Sequence, residues 1–275
     1  MYFLAPLALL CFAANSVLAR LALGTGAIDP ASFTAIRLAS GALFLILLVR
    51  STARPPDRPT SWRPALLLFL YAAPFSFAYI GLTAGTGALI LFGAVQLTMI
   101  GAGLQSGERP HEREWAGLAI ALSGLLYLNL PGLTAPPLLS AVLMAVAGVA
   151  WGFYSLRGRR SSSPLADTAS SFLLAAPLGL GLVAAALPAG MLRVTPVGVM
   201  YAVASGALAS GGGYAAWYAV LPRLSATRAG TIQLAVPVLA ALAGTALLNE
   251  RITLRLMLSG AAILGGIGLA ISARR

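Results

Sequence analysis

The sequence predicts an all-α membrane protein in which ten transmembrane helices form two inverted five-helix repeats. Of its 275 residues, 59% are hydrophobic and only 9% are charged, and the mean hydropathy is +0.89. Because a spanning helix takes roughly 20 apolar residues, ten of them would use about 200 residues and leave about 75 for turns and ends. These lengths leave no room for a soluble domain.

Ten apolar runs of helix length divide the chain. They are predicted as helices because a lone lipid-exposed strand would leave its backbone unpaired, and because the runs lack the two-residue alternation of a membrane barrel. The first run is predicted to be an uncleaved span and not a secretory signal, since no side-chain cation precedes it. The runs cover about 3–22, 30–49, 64–83, 86–106, 113–130, 138–157, 165–187, 196–219, 226–248 and 253–272.

The second half of the chain resembles the first. When the sequence is shifted by 142 positions, several residues of the two halves coincide. Five spans per copy is an odd number, so the second copy enters the membrane from the opposite side and the pair forms an inverted repeat, as in many secondary transporters. The copies are predicted at 1–136 and 137–275 within one integrated membrane domain. The coinciding pairs are Leu82 with Leu224, Ala84 with Ala226, Ile90 with Ile232, Glu108 with Glu250 and Arg109 with Arg251.

Arginine supplies all 18 basic side chains and sets the predicted orientation. With the N-terminus in the cytoplasm, thirteen arginines lie in cytoplasmic turns or ends and four in outer turns, while Arg37 lies within a span. Because cytoplasmic loops carry the excess of basic residues, the N- and C-termini are both predicted to be cytoplasmic.

Several function classes are disfavoured by the residues present. The formal charge of +11 would suit a nucleic-acid binder, but the arginines stand at the ends of apolar runs, so no nucleic-acid partner is expected. Cys11 and His111 each occur once and cannot build an intrachain disulfide or a Cys/His metal site. The sequence has no Walker motif and no set of nucleophile, base and orienter. Enzyme activity, a cofactor, a metal and an ATPase subunit are therefore not expected.

Few polar side chains lie inside the predicted spans, where they must face partners or a cavity. Gln96 and Gln233 can each donate and accept hydrogen bonds, which suits either a polar ligand in a cavity or a bond between helices. Trp151 lies too deep for an interfacial aromatic belt. Gly148 and Gly152 beside it let another backbone approach, so Trp151 is either a cavity wall or ordinary packing.

Arg37 stands about a third of the way into the second span, where a charge facing lipid would cost several kcal/mol. One interpretation makes it an anchor for an anion or carboxylate, because the guanidinium binds such groups with two parallel hydrogen bonds. The other has it reach the outer surface or tie helices together. The residues alone leave both open.

Prolines and glycines inside the spans predict places where helices bend. Pro74 and Pro237 each remove a helical hydrogen bond, Gly85 and Gly87 predict a short hinge between spans 3 and 4, and Gly211–Gly213 predicts a local distortion. These residues fit a protein that rocks, and they fit static packing as well. The hinge and gating candidates are Pro74, Gly85, Gly87, Gly211, Gly213 and Pro237.

With these residues in hand, the chain resembles the drug/metabolite transporter superfamily in its ten-helix, EamA-type form. The resemblance covers nearly the whole chain, although the first copy has Val95 where the family's proline would fall. The segments that carry it are Leu221-Pro222-Arg223-Leu224-Ser225-Ala226, Val236-Pro237-Val238, Asn249-Glu250-Arg251, Gly260-Ala261-Ala262, Ala35-Ile36-Arg37-Leu38 and Gly107-Glu108-Arg109-Pro110.

The resemblance implies a secondary transporter of the bacterial inner membrane, similar to amino acid exporters of the YddG kind, that works by alternating access. It implies a basket of helices 1–4 and 6–9 around a central cavity, with helices 5 and 10 outside, and it favours the structural interpretation of Arg37. The partners expected are a small-molecule substrate, such as an aromatic or other neutral amino acid, and the lipid bilayer. The cavity is predicted to be lined by Asn15, Tyr79, Gln96, Trp151, Tyr214, Trp217 and Gln233.

Two rival functions stay open at this point. Efflux of hydrophobic or cationic toxicants would need a more apolar cavity and would be expected to present a carboxylate, and none is seen in mid-span. A membrane enzyme or scaffold that transports nothing is disfavoured by the inverted repeat and by the missing catalytic set.

Overall fold

Ten α-helical elements and two short 3-10 helices, Leu187–Ala189 and Leu221–Arg223, make up the described part of the chain. The structure, a computed structural model, describes residues 3–51, 61–129, 137–248 and 254–272. α8 consists of three continuous parts, and α9 of two parts, α9a and α9b. The elements are α1 (Leu4–Gly24), α2 (Pro30–Ser51), α3 (Trp62–Ala78), α4 (Ala84–Gln105), α5 (Glu112–Asn129), α6 (Leu138–Arg159), α7 (Pro164–Ala186), α8 (Pro196–Val203, Ala204–Gly212 and Gly213–Val220), α9a (Ala226–Gln233), α9b (Ala235–Leu248) and α10 (Leu254–Ser272).

The helix ends agree with the apolar runs to within two residues except at α3. That helix ends at Ala78 instead of extending to residue 83. The cause is the start of α4, where the Thr83 side chain accepts a hydrogen bond from the backbone N–H of Thr86 at 3.2 Å and so begins a new helix. Gly85 and Gly87 therefore lie inside the first turn of α4, and the connection predicted there is formed by residues 79–83.

Within the described ranges, six helices are long and apolar enough to cross a membrane. The remaining helical elements are shorter, interrupted or more polar, as in the 17-residue α3. The ten-span topology, the orientation and the repeat boundaries therefore stay predictions, and the Asn249–Arg251 turn lies outside the described residues. The six candidate spans are Leu4–Gly24, Pro30–Ser51, Ala84–Gln105, Leu138–Arg159, Pro164–Ala189 and Ala226–Gly244.

The helices pack in a pattern that is unchanged when each of α1–α5 is exchanged with the helix five places later. α3 packs on α6 and α7, and α8 packs correspondingly on α1 and α2. α4 packs on α6 as α9 packs on α1, while α2 pairs with α7 and α5 pairs with α10. Two similar five-helix units in contact are expected to give such a pattern, so the predicted repeat agrees with these contacts.

α5 and α10 pack mainly against each other and have fewer contacts with α4 and α9. Gly117 and Gly266 meet at the crossing, where a Cβ added at Gly266 would lie 2.5 Å from the carbonyl oxygen of Gly117. Two glycines let the backbones approach this closely. Leu126 and Leu264 on the outer faces are 63% and 53% exposed, which suits helices that face lipid. This arrangement matches the peripheral position that the resemblance implied for helices 5 and 10.

Two helices of the second half are distorted in their middles. In α8, residues Ala204–Gly212 form a π-helix, at the segment where glycines predicted a distortion. α9 breaks at Leu234 because Pro237 has no N–H for the carbonyl of Gln233 and its ring crowds that carbonyl. α4, which has Val95 in place of a proline, and α3, which contains Pro74, are continuous.

Candidate functional site

A buried hydrogen-bonded network joins α1, α2, α3 and α8 near the middle of the bundle. Ser205 donates its hydroxyl to the side-chain oxygen of Asn15 at 2.6 Å, and the Asn15 amide donates to the Tyr71 hydroxyl at 3.1 Å. Arg37 donates from Nη2 to the same hydroxyl at 2.9 Å and from Nε to Ser210 at 3.1 Å. The network thus connects three helices of the first half to one helix of the second.

The π-helix in α8 explains how two serines five residues apart both reach this network. At about 100° per residue, an α-helix would point Ser205 and Ser210 about 140° apart. A π-helix closes its hydrogen-bonded turn over five residues, which brings both hydroxyls to one side. Gly206 lets this segment lie directly on α2, since a Cβ there would collide with the Arg37 carbonyl oxygen and the Ser40 hydroxyl.

Arg37 is the charged member of the network and is only 1% exposed. Its guanidinium lies 4.9 Å from the ring centroids of both Tyr71 and Phe75, a separation at which a cation is attracted to an aromatic face. Nη2 also donates to the Tyr214 hydroxyl at 3.5 Å, whereas Nη1 has no hydrogen-bond partner. Neither of the two ion pairs in the described ranges includes Arg37. Among the residues that the structure describes, no carboxylate lies beside this buried cation.

Aromatic side chains from both halves surround a small central chamber beside the network. The ring of Trp151 lies 5.2 Å from Tyr71, 4.6 Å from Tyr214 and 5.4 Å from Phe12, measured between centroids. The chamber has a volume of about 10 Å³, which is room for about one water molecule. In this structure the chamber is therefore too small to hold a metabolite. Its lining residues are Phe12, Asn15, Ser16, Tyr71, Phe75, Leu91, Phe92, Trp151 and Tyr214.

Three of the seven predicted cavity residues line the chamber: Asn15, Trp151 and Tyr214. Gln233 does not line the chamber but is bonded to a residue that does, because its Oε1 accepts a hydrogen bond from the Trp151 indole N–H at 2.9 Å. Its own amide donates to the Ala229 carbonyl at 3.2 Å. The Gln233 side chain therefore ties the wall of the chamber to α9a.

The other three predicted residues are buried but do not line the chamber. Gln96 donates to Thr231 at 3.3 Å and so joins α4 to α9a. Tyr79 packs on Phe75 with ring centroids 4.7 Å apart, and Trp217 lies 5.8 Å from Phe12. Tyr79 and Trp217 thus pack against lining residues, whereas Gln96 joins two helices.

The sequence interpretation did not identify Tyr71 and Ser205 as site residues, and the family likeness made Arg37 merely structural. Tyr71 is one of 22 aromatic residues in the sequence, and Ser210 stands among other small residues in its span. The signal that could have found them is the five-residue spacing of the two serines inside a glycine-rich span. That spacing indicates a π-turn with one polar side.

Glu108 joins the two halves at one end of the bundle, which we call the arginine-rich end because Arg157, Arg159 and Arg160 lie there. Its carboxylate accepts hydrogen bonds from the backbone N–H of Ala226 at 2.9 Å and of Thr227 at 3.3 Å, and from Arg159 at 3.0 Å. Partial burial would raise the pKa of Glu108, but these donors outweigh it and hold the pKa below its usual value. The carboxylate therefore stays ionised at neutral pH and caps α9a.

The same end contains an open cleft of about 590 Å³. Residues from the ends of α3, α4, α6, α7 and α9a line it, and several are polar or charged. The cleft is large enough for a small metabolite, unlike the central chamber. Lining residues include Ser106, Arg157, Arg159, Arg160, Asp167 and Ala226.

The opposite end is sealed by backbone pairing between the two halves. Ile28 and Val194 form an antiparallel bridge. Around it, the N–H of Asp29 donates to the Arg193 carbonyl at 2.8 Å and the N–H of Thr195 donates to the Ala27 carbonyl at 3.1 Å. The α1–α2 and α7–α8 connections are thus joined at this end, while a cleft opens at the arginine-rich end.

Comparison with known proteins identifies relatives of this fold. The model of the EamA-like transporter family matches residues 1–130 and 138–272. The uncharacterized protein PA1977 of Pseudomonas aeruginosa is 52% identical over 273 residues, which cover 98% of this chain and 94% of that protein. The threonine/homoserine exporter RhtA of Escherichia coli strain K12 is 28% identical over 267 residues, covering 88% of this chain and 82% of RhtA.

Two further matches cover less of the chain or have lower sequence identity. The uncharacterized inner membrane transporter YedA of Escherichia coli strain K12 is 28% identical over 158 residues, covering 56% of this chain and 51% of YedA. A crystal structure that is 22% identical in sequence superimposes with a TM-score of 0.76 and covers 97% of this chain and 98% of its own. At that identity the superposition supports the fold.

Proposed function

The chain belongs to the EamA-like transporter family, and from this premise we propose that it exports amino acids or related small metabolites by alternating access. Family members of this kind are transporters, and the relatives include an inner membrane transporter. The protein is accordingly a multi-pass protein of the bacterial inner membrane. Its specific cargo and the transport mechanism are the parts proposed here.

The observation that carries the proposal is the central chamber, because both halves contribute to its wall. Asn15 and Tyr71 come from the first half, and Trp151 and Tyr214 come from the second. A site at the interface of two units opens toward one side or the other when the units rock. Its mixture of amide, hydroxyl and aromatic groups suits a small polar molecule with an apolar part.

The contacts at the two ends support alternation. Glu108 of the first half binds α9a and Arg159 of the second half, and Asp29 of the first half pairs with Arg193 of the second. Each set consists of a few hydrogen bonds, so rocking one half on the other could break one set while keeping the other. The π-helix of α8 and the break in α9 are places where these helices can bend.

Amino acids are favoured as cargo by the likeness to RhtA, which is named a threonine/homoserine exporter. Efflux of cationic compounds is the weaker alternative, because no carboxylate is among the described residues that line the chamber. The buried Arg37 next to it would also repel a cation. An enzyme or scaffold gains no support from the family match.

Reconstituted protein gives the direct test. Proteoliposomes loaded with labelled L-threonine, L-homoserine, L-phenylalanine or L-tryptophan are expected to release at least one of them faster than protein-free liposomes do. A parallel sample loaded with the cationic dye ethidium tests the rival. Release of ethidium without release of any amino acid would replace the proposal by toxicant efflux, and release of neither would overturn transport of both classes.

A further inference from the structure

The charge of Arg37 is uncompensated within the described structure. A buried charge normally has a partner, because removing an ion from water costs several kcal/mol that only a counter-ion or a full set of hydrogen bonds recovers. Asp29, the acidic residue on the same end of α2, is occupied elsewhere, since its carboxylate accepts from the backbone of Ser32 at 2.8 Å and of Arg193 at 3.1 Å. Arg37 therefore has hydroxyl partners in place of an anion.

One nitrogen of the Arg37 guanidinium also has no hydrogen-bond acceptor. Nε is bonded to Ser210 and Nη2 to Tyr71, but Nη1 has no partner although it is buried. An unsatisfied donor on a buried charged group is costly. A protein that only needed a tie between helices would satisfy it with a carbonyl or hydroxyl.

The groups around Arg37 keep it in place and connect it to the central chamber. The rings of Tyr71 and Phe75 lie close to the guanidinium, and Ser210 fixes Nε. Tyr71, Phe75 and Tyr214 are themselves lining residues of the chamber. Arg37 does not line the chamber itself, but its Nη2 is bonded to the hydroxyls of two residues that do, Tyr71 and Tyr214.

We propose that Arg37 is the anchor for the carboxylate of the transported substrate. The inference rests on the proposed function and specifies the substrate class as small molecules with a free carboxylate. When the chamber opens, the carboxylate takes the free Nη1 and shares Nη2, in the two-bond geometry that guanidinium and carboxylate favour. The Tyr71 and Tyr214 hydroxyls then donate to the same carboxylate, because a phenol can donate its O–H while its oxygen accepts from Arg37.

This proposal differs in its consequences from a purely structural role. A tie between α2, α3 and α8 predicts that replacing Arg37 lowers stability and affects all ligands alike. An anchor predicts that the loss concentrates on ligands with a carboxylate. A ligand pair that differs only at that group separates the two.

The test measures ligand binding as the rise in thermal unfolding temperature of the purified protein, with L-threonine compared against L-threoninamide and L-phenylalanine against L-phenylalaninamide. For the unmodified protein, at least one acid is expected to bind about 10- to 100-fold more tightly than its amide, the range of a hydrogen bond to a charged group. In Arg37→Gln this preference disappears. Arg50→Gln, a matched change at the exposed end of the same helix, keeps it.

The outcomes separate this proposal from the export function. Preferential binding of an acid without flux into or out of liposomes would support the anchor and count against export. Flux of an amino acid together with equal binding of acid and amide, or a preference that survives in Arg37→Gln, would overturn the anchor and leave export standing. Failure of both acids to bind also overturns it. If Arg37→Gln does not fold, Arg37→Lys is compared with the unmodified protein instead. Lysine keeps the charge but cannot make two parallel hydrogen bonds, so this variant is expected to weaken the binding of the acid and not of the amide.

Discussion

Trp151 in the wall of the central chamber donates its indole N–H to the side chain of Gln233 at 2.9 Å. Gln233 is the last residue of α9a, and the helix breaks at the next residue. The wall of the chamber and the break in α9 are therefore linked by one hydrogen bond. A movement of α9a relative to α9b would be transmitted to the largest ring in the chamber.

Removing the Trp151 ring is expected to impair both the fold and transport. Trp151→Ala should cost about 3–5 kcal/mol of stability, the usual effect of truncating a buried tryptophan. Trp151→Phe keeps most of the ring, loses the bond to Gln233, and should cost about 1 kcal/mol while still changing the affinity and rate of amino acid flux. Trp62→Phe, at an exposed position, is the control. Unchanged affinity and rate in Trp151→Phe and Trp151→Ala would remove Trp151 from the site.

Restoring a regular helix at the break should slow transport. Pro237→Ala supplies the missing N–H to the Gln233 carbonyl, which favours a continuous α9. We expect the maximal flux to fall severalfold with little change in ligand binding, measured in proteoliposomes and by thermal shift. Pro177→Ala, which alters the proline inside α7, should leave flux close to that of the unmodified protein. Equal loss in both variants would mean that the break is not a working hinge.

The contact between α2 and α8 predicts a sharp difference between two glycines. In Gly206→Ala the new Cβ would collide with the Arg37 carbonyl oxygen and the Ser40 hydroxyl, so the variant should lose about 1–3 kcal/mol, as overpacked sites do. In Gly181→Ala the new Cβ meets nothing within 4 Å, and a helical alanine should be neutral or stabilising by about 1 kcal/mol. Thermal unfolding measures both. A Gly206→Ala protein as stable as Gly181→Ala contradicts the packing described.

Much of this architecture could be predicted from the sequence, because hydropathy alone determines where apolar helices begin and end. Nine of the ten runs match observed helix ends closely, and the arginine-rich turns meet at one end. The end of α3 was missed since Thr83 acts as a cap, which is a local side-chain bond with no signal in hydropathy. Pro237 correctly indicated the disturbed helix because proline acts through its own missing N–H.

The site was harder to predict because it depends on which helix faces pack against each other. Asn15, Trp151 and Tyr214 could be named from depth and polarity. Ser205 reaches Asn15 only through the π-turn of α8, and the absence of an anion beside Arg37 is visible only when its neighbours are known. Both features arise from packing between the halves, which no single segment of sequence contains.

Glu108 predicts a pH dependence at the arginine-rich end. The pKa of its carboxyl lies below the ordinary value of 4.5. The contribution of Glu108 to stability is therefore fully present above about pH 4.5 and is lost as the pH falls through the lowered pKa. Glu108→Gln should therefore reduce stability at pH 7 by about 1–3 kcal/mol and by less near pH 4. Glu112→Gln, at an exposed position of the same turn, is the control. An equal deficit at both pH values would show that the charge of Glu108 does not hold the turn to α9a.

The central claim, that the halves alternate around the chamber to release an amino acid, is tested most directly by locking the sealed end. Ile28 and Val194 face each other between the hydrogen bonds Asp29–Arg193 and Ala27–Thr195. Residues paired in this way have Cα atoms about 4.5 Å apart, which is within reach of a disulfide.

In a Cys11→Ala background, the double variant Ile28→Cys with Val194→Cys is compared with each single-cysteine variant. The measurement is release of labelled L-threonine, or of whichever amino acid the unmodified protein carries, from proteoliposomes before and after reduction. No release is expected when the pair is oxidised, release should recover on reduction, and both single-cysteine proteins should stay active throughout. Undiminished release from fully cross-linked protein, or no amino acid release from the reduced protein, would show that the two halves do not alternate around the chamber.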